Sequence, residues 1–339
     1  MVTEFNTKSA LPAHFTARPT TMDDLEAAVS LLNTCAIHIT GAPNTNLADL
    51  RSEWEDPTFD LQASSQVVFS PEGQLVGYIE VWDTAPIPVT PWVWGRVHPA
   101  YEGQGIGSFL MEWGEARARQ AIARCPDDVR VAFHSSTPST YLPAQRLFLR
   151  HGLSLVRHFW RMAIEFDEAP QPVVWNNGLT IRTFADVPDL TAVYQASDDA
   201  FQDHWGHVAQ PMETGIKQWQ HWVENDPDFD PTLWLLAMDG DQIAGISLCR
   251  HRADDDPDMG WVNNLGVRRP WRQKGLGLAL LQHSFAVLHQ RGKQRVGLGV
   301  DADSLTGATR LYEKAGMKVI RQADAYEKVL RPGRDISRH

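Results

Sequence analysis

The chain is one pattern written twice, and that repetition restricts its fold more than any single motif does. Near the start, FTARPTTMDDLEAAVSLLN reads as a short strand carrying Arg18 and then a helix. Thr21 stands three residues ahead of Asp24, a weak capping box before the apolar positions Leu25, Val29 and Leu32. LTIRTFADVPDLTAVYQA repeats the arrangement, with Arg182 in the place of Arg18. The hairpin-like VVFSPEGQLVGYIEVW is echoed by WLLAMDGDQIAGISLCR, Gly77 answering Gly245. VHPAYEGQGIGSFLMEWGEARA is echoed by VRRPWRQKGLGLALLQHSFAVL, Gly105 answering Gly275. QRLFLRHGL is echoed by TRLYEKAGM, Phe148 answering Tyr312. Four matches in one order, at nearly constant spacing, imply two similar domains rather than two unrelated ones. DEAPQPVVWNNG, with Pro170, Pro172 and the turn-prone Asn177-Gly178, suits a linker. The expected domains are therefore 1–170 and 171–339, with the boundary near Gln171.

Each half reads strand, helical region, hairpin, strand, helix, strand, helix, strand. That order is a mixed α/β unit with a central sheet and helices on its faces. The clearest piece is VNNLGV, a glycine-rich turn, and a helix in which Leu278, Leu281, Phe285 and Leu288 recur at helical spacing until Gly292 stops it. A hydrophobic fraction of 43% with 22% charged residues is ordinary globular usage and excludes disordered and fibrous classes. Lys and Arg number 31 against 42 Asp and Glu, and a net charge of −11 repels nucleic acid and anionic membrane surfaces. Cys35, Cys125 and Cys249 form no CxxC pair, which argues against a disulfide framework and a cysteine zinc site. The opening residues hold no apolar leader, and no run approaches the ~18 apolar residues of a membrane span. The expectation is a soluble, cytoplasmic protein.

Arg272-Gln273-Lys274-Gly275-Leu276-Gly277 lies directly between a strand and a helix. A helix N-terminus carries unpaired N–H groups and the positive dipole end, so it favours an anion. Glycines let the backbone approach that anion with no Cβ in the way. A phosphate or pyrophosphate resting on the amides from Gln273 to Gly277 is the physical expectation, with Arg272 and Lys274 adding charge beside it. Neither half contains the GxxxxGK[ST] of a Walker loop, and Leu280 and Leu110 stand where GxGxxG needs its third glycine.

The order is instead R-x-x-G-x-G, which resembles the acetyl-CoA motif of the GCN5-related N-acetyltransferase (GNAT) family. LGVRRPWRQKGLG is similar to that family's strand, bulge and pyrophosphate loop in one piece. The resemblance covers nearly the whole chain, twice, and implies two tandem GNAT-like domains. It implies acetyl-CoA as donor, held by Leu265, Gly266 and Val267 on the strand and by Arg272, Gln273, Lys274, Gly275, Leu276 and Gly277 on the loop. DSLTGATRLYEKAGM is similar to the family segment with a Leu-Tyr-x-x-x-Gly pattern. That maps Tyr312 onto the residue whose hydroxyl protonates the departing coenzyme A thiolate, and puts Ser304 where an Asn is common. A packing role, ring beneath the sheet and hydroxyl wetted, is the other reading of Tyr312. Trp261 falls where double acetyltransferases of this kind carry a proposed carboxylate base, and Asn263 and Asn264 cannot accept a proton at neutral pH.

The first half keeps Val97, Gln104, Gly105 and Gly107 as coenzyme candidates, but Glu102 replaces the arginine and Phe148 the tyrosine. The simplest expectation is a diverged half that supports the fold, shapes the substrate cleft or seats a coenzyme without turnover. Catalysis there by a different acid is the alternative. Asp203, His204 and His207 in DAFQDHWGH lack the logic of a metal site and read as exposed residues, on the acceptor side if the resemblance holds. DDDPD from Asp254 to Asp258 reads as a solvated hairpin loop, and Trp92, Trp94, Trp234 and Trp261 as core. The expected reaction is acetyl transfer to a primary amine of a small molecule by direct attack, without a metal, in a monomer or homodimer. The rival readings are an acyl-CoA sensor without turnover and a protein amino-group acetyltransferase.

Overall fold

A computed structural model describes residues 9–173, 175, 178–226, 228–304 and 307–337. The chain forms two compact units, one reaching Arg157 and including Ala323–Ser337, the other spanning His158–Gln322.

The first unit opens with β1 (Thr16–Pro19) and α1 (Leu25–Thr40). The capping box is real: the Asp24 carboxylate accepts the Thr21 N–H at 2.9 Å and two Arg18 guanidinium bonds at 2.7 and 2.6 Å. Gly41, at φ +88°, ends α1 in the left-handed conformation. Then come α2 (Leu47–Trp54), α3 (Leu61–Ser64), β2 (Ser65–Phe69), β3 (Leu75–Trp82), β4 (Trp92–Val97), α4 (Ile106–Ala118), β5 (Val131–Pro138) and α5 (Leu142–Arg150). One face of the sheet packs α4 through Ile106, Leu110 and Met111 against Val68, Ile79 and Val93. The other packs α1 and α2 through Leu31, Leu32 and Trp54 against Val67 and Tyr78.

The second unit repeats this plan. Its elements are β6 (Ser154–Glu165), β7 (Thr180–Thr183), α6 (Leu190–Phe201), α7 (Met212–Asn225), β8 (Trp234–Asp239), β9 (Gln242–Arg250), β10 (Met259–Val267), α8 (Leu276–Gln290), β11 (Arg295–Asp301) and α9 (Ala308–Lys314). The last strand, β12 (Lys318–Arg331), follows. In α8 the apolar period buries Leu281, Phe285 and Leu288, while Leu278 lines a cavity instead.

Each unit is completed by the strand that the repeat assigns to the other. The first unit's sheet runs β1-β2-β3-β4-β5-β12, with Ala323 to Arg331 of β12 antiparallel to β5. The second runs β6-β11-β10-β9-β8-β7, with Phe159 to Glu165 of β6 antiparallel to β11. A single cut near Gln171 therefore does not divide the chain into its compact units. Pro170 and Pro172 do lie outside any helix or strand; Asn177 is outside the described residues.

β12 is pinned to its adopted sheet by a buried charge cluster. Glu327 accepts from His134 Nε2 at 3.0 Å and from both arms of Arg130. Burial pushes the Glu327 carboxyl up, but the His134 and Arg130 hydrogen bonds and charges outweigh it and hold it at about 2. A depressed carboxylate pKa contributes stability above the unfolded value, about 4.3, that is lost as pH falls toward 2. Glu327→Gln is expected to cost about 2–3 kcal/mol at pH 7. Thermal melts across pH should show a lower midpoint for the variant at pH 7 and a gap that closes below pH 4; a constant gap contradicts the assignment.

Candidate active site

The site begins where β10 parts from β11. Met259 to Val262 pair in parallel with Arg295 to Leu298, and the ladder stops there. At the same point the pairing with β9 slips, Val262 lying opposite Cys249 and Asn264 opposite Leu248. Asn263 is thus an extra residue, a β-bulge that bends the strand away from its parallel neighbour. From Asn264 to Val267, β9 is the strand partner of β10 among the described residues, and the other edge of β10 is open to a ligand, save that the Val267 carbonyl accepts from Arg272. Gly266 lets α6 close on this stretch: a Cβ there would lie 2.8 Å from Ala200 Cβ and 2.9 Å from the Phe201 ring.

The loop after β10 turns into α8 through two left-handed residues, Gln273 at φ +62° and Gly275 at φ +81°. The left-handed Gly275 caps α8, whose first N–H groups and positive dipole end suit an anion. A Cβ at Gly275 would meet nothing within 4 Å, so the glycine is required by conformation and the space beyond it is open. At Gln273 the same conformation costs about 1 kcal/mol or more.

Arg272 differs from the expectation of a free cation beside that anion. Its Nε donates to the Val267 carbonyl at 3.0 Å, and its two amino groups to the Ala200 carbonyl at 3.0 Å and Asp203 at 2.7 Å. Arg269 also donates to Asp203. Hydrogen bonds from Arg269 and Arg272 hold the Asp203 carboxyl well below the usual carboxylate range. Arg272 therefore ties the loop to β10 and α6. Lys274 donates to the Pro270 carbonyl at 3.0 Å and is off the cavity wall, as is Ser304, whose N–H donates to Asp301.

Between the open edge, the loop and α9 lies a cavity of about 790 Å³. Leu265, Gly266, Val267, Arg272, Gln273, Gly275, Leu276 and Gly277 all reach its wall, so most of the expected coenzyme residues converge. Tyr312 reaches the same wall from α9. It is 7% exposed, and among the described residues nothing hydrogen-bonds its hydroxyl. Burial pushes its pKa up to about 12, so the hydroxyl keeps its proton at neutral pH. Asp203 and His204 also line the cavity rather than standing free in solvent. The sequence flagged both, but spacing alone gave them no place.

In the first unit the parallel ladder between β4 and β5 ends at Trp92 opposite His134, and Gly105 takes the same left-handed turn at φ +92°. The cleft chemistry is different. The Tyr141 hydroxyl donates to the Glu102 carboxylate, and Arg96, in the position of Gly266, stacks over Trp94 at 4.3 Å. The Val97 carbonyl accepts from the Cys35 thiol at 3.3 Å, and Gln104 turns back to the Ala100 carbonyl at 3.5 Å. A Cβ on Gly107 would lie 3.3 Å from Leu147. Phe148 is core, its ring 5.2 Å from Tyr326.

Two bland readings need correction. The acidic run is an ion-pair hub: Asp255 holds Arg161 and Arg321, each at 2.5 Å, and Asp256 holds Arg295 at 2.9 Å. Trp234 is core, but Trp92, Trp94 and Trp261 are only partly buried, Trp261 under the Arg161 guanidinium at 4.7 Å. Among the described residues no cluster of three or more His, Cys, Asp or Glu is arranged to hold a metal, and no helix is long and apolar enough to cross a membrane.

A bulged strand that parts from its parallel neighbour, an anion-binding turn and a proton-bearing tyrosine together define an acyltransferase site. The chain belongs to the GNAT family of acetyltransferases. The Acetyltransferase (GNAT) family model matches residues 190–317, and the Acetyltransferase (GNAT) domain model residues 63–152. A mycothiol acetyltransferase of Streptomyces bingchenggensis is 32% identical over 255 residues, 73% of this chain and 75% of that one. That of Nocardia farcinica is 30% identical over 227 residues, 65% of this chain and 68% of that one. Among solved structures, a GCN5-related N-acetyltransferase from Sphaerobacter thermophilus is 35% identical with a TM-score of 0.80, covering 97% of this chain and 100% of that one. A tandem GNAT protein from the clavulanic acid biosynthesis pathway, 15% identical with a TM-score of 0.63 over 94% of this chain and 100% of its own, shares the fold.

Gly266→Ala should push α6 off β10, because the new methyl has no room beside Ala200 and Phe201. Overpacking of this kind costs about 1–3 kcal/mol. Chemical denaturation should show that loss, and unchanged stability would mean that α6 yields freely.

Proposed function

We propose that the second unit transfers the acetyl group of acetyl-CoA to a primary amine of a small molecule, and that the first unit does no chemistry. The observation that carries this is the convergence on one cavity of the open β10 edge, the left-handed turn at α8 and the Tyr312 hydroxyl. The amides from Gln273 to Gly277 suit the pyrophosphate of the donor. The open edge of β10 at Leu265 suits its amide-bearing arm, which can add to the sheet edge as a strand would. A backbone N–H near Leu265 is the donor for the developing oxyanion, and one such donor contributes about 3 kcal/mol. Tyr312 gives its proton to the departing thiolate. The relatives named mycothiol acetyltransferases make an amine of that small-molecule type the first acceptor to try. Use of acetyl-CoA as donor suits a cytoplasmic protein. Thiol release from acetyl-CoA across a panel of small amines tests the reading; coenzyme binding without release on any amine would leave a sensor.

Tyr312→Phe keeps the ring packing and removes only the proton. Turnover should fall about 100-fold while acetyl-CoA affinity measured by calorimetry stays near wild type. Equal rates would return Tyr312 to packing.

Gly275→Asp sets a negative charge, on a backbone that disfavours any side chain, against the site for the donor's pyrophosphate. Activity should disappear, whereas Gly105→Asp, matched in turn and φ, should leave it within a few-fold of wild type. Loss of activity from Gly105→Asp alone, at unchanged melting temperature, would move the working site to the first unit.

A further inference from the structure

Tyr312 supplies a proton to sulfur, and an ammonium acceptor must also lose one before its nitrogen can attack. We propose that His204 is the base that takes this proton in the second unit, an inference that rests on the acetyl-transfer reading above.

Elimination on the cavity wall leaves little choice. Its titratable side chains are Asp203, His204, Arg272, Arg310, Tyr312 and Lys314. Guanidinium and ammonium groups are donors with no lone pair to offer, which removes the two arginines and Lys314, and the Tyr312 hydroxyl is a donor too. Asp203 is spent on Arg269 and Arg272, whose hydrogen bonds make it a very weak base. His204 is left. The turn after α6 fixes it: its N–H donates to the Phe201 carbonyl at 2.9 Å, its carbonyl accepts from His207 at 3.1 Å, and its ring packs on Phe201 at 4.5 Å. Among the described residues no group hydrogen-bonds either ring nitrogen. The neighbouring His207 is by contrast committed to Asp198 at 3.1 Å.

Burial keeps the ring neutral at pH 7. Burial lowers its pKa below the ordinary 6.5; Asp301 at the end of β11 and Asp203 pull it up, and Arg272 and His207 pull it down. The step balances. One ammonium proton passes to a His204 nitrogen, and the freed lone pair forms the C–N bond to the thioester carbon as the carbonyl pair moves to oxygen. Collapse restores the carbonyl and breaks the C–S bond, and sulfur takes the Tyr312 proton. The nitrogen's surplus proton passes through water to the tyrosinate, and His204 releases its own to solvent.

His204→Gln should bind acetyl-CoA with near wild-type affinity by calorimetry and lose about 100-fold in kcat/KM for the fastest amine of the panel. The acid limb of the wild-type pH–rate profile, with a midpoint below 6.5, should vanish in the variant, and added imidazole should restore part of the rate of His204→Ala. Independent of turnover, the imidazole resonance missing from His204→Gln should titrate below 6.5 in the wild-type protein. An unchanged rate and acid limb, no imidazole rescue in a folded variant, or a ring still protonated above neutrality overturns the proposal. Wild-type protein that binds acetyl-CoA but acetylates no amine overturns it too, while leaving the coenzyme site standing; failure to bind acetyl-CoA overturns the reading beneath it.

Discussion

What the second unit offers a ligand is gathered beside one extra residue in a strand. Asn263 breaks the register of β10 against β9 just where β10 leaves β11. From Asn264 to Val267 β10 keeps β9 as its strand partner, and the cavity lies along its other edge. The left-handed turn of Gln273 and Gly275 then aims its amides at the same opening, because the strand delivers the chain to α8 from the bulge. Arg272 holds this geometry by hydrogen-bonding β10 and α6 at once. A cation expected to neutralise a ligand instead stiffens the loop that binds it.

The two units show how far one scaffold can be changed without losing its fold. Both part their central strands and both turn into a helix through a left-handed glycine. In the first unit, Arg96 stands where Gly266 lets α6 close on the strand, the Glu102 carboxylate is bound to Tyr141, and Phe148 is spent on the core. The scaffold survives because its stability lies in packed apolar faces, such as Ile106 and Leu110 on Val68 and Ile79, and Phe148 joins that core.

What could be read in the sequence was what is local or repeated. Glycines beside a strand–helix junction, helical spacing in α8 and the Thr21–Asp24 cap all act within a few residues, and all appear as read. The partners of Arg272 could not be read, since Asp203 lies 69 residues away on another element. The acidic loop looked solvated because Arg161 and Arg321, which neutralise Asp255, come from β6 and β12. The division of the chain was hidden for a related reason. β6 and β12 follow equivalent helices with similar strand patterns, and nothing in alternation says which sheet edge a strand will join.

The exchange of those two strands sets the order in which the molecule can be finished as it leaves the ribosome. Synthesis runs from the N-terminus, and β6 to β11 are all made before β12. The second unit can close its six-stranded sheet while β5 still shows an unpaired edge to solvent, exposed to any strand that will pair with it. Only when Ala323 to Arg331 emerge does that edge find its partner. The half that is written first is the half completed last.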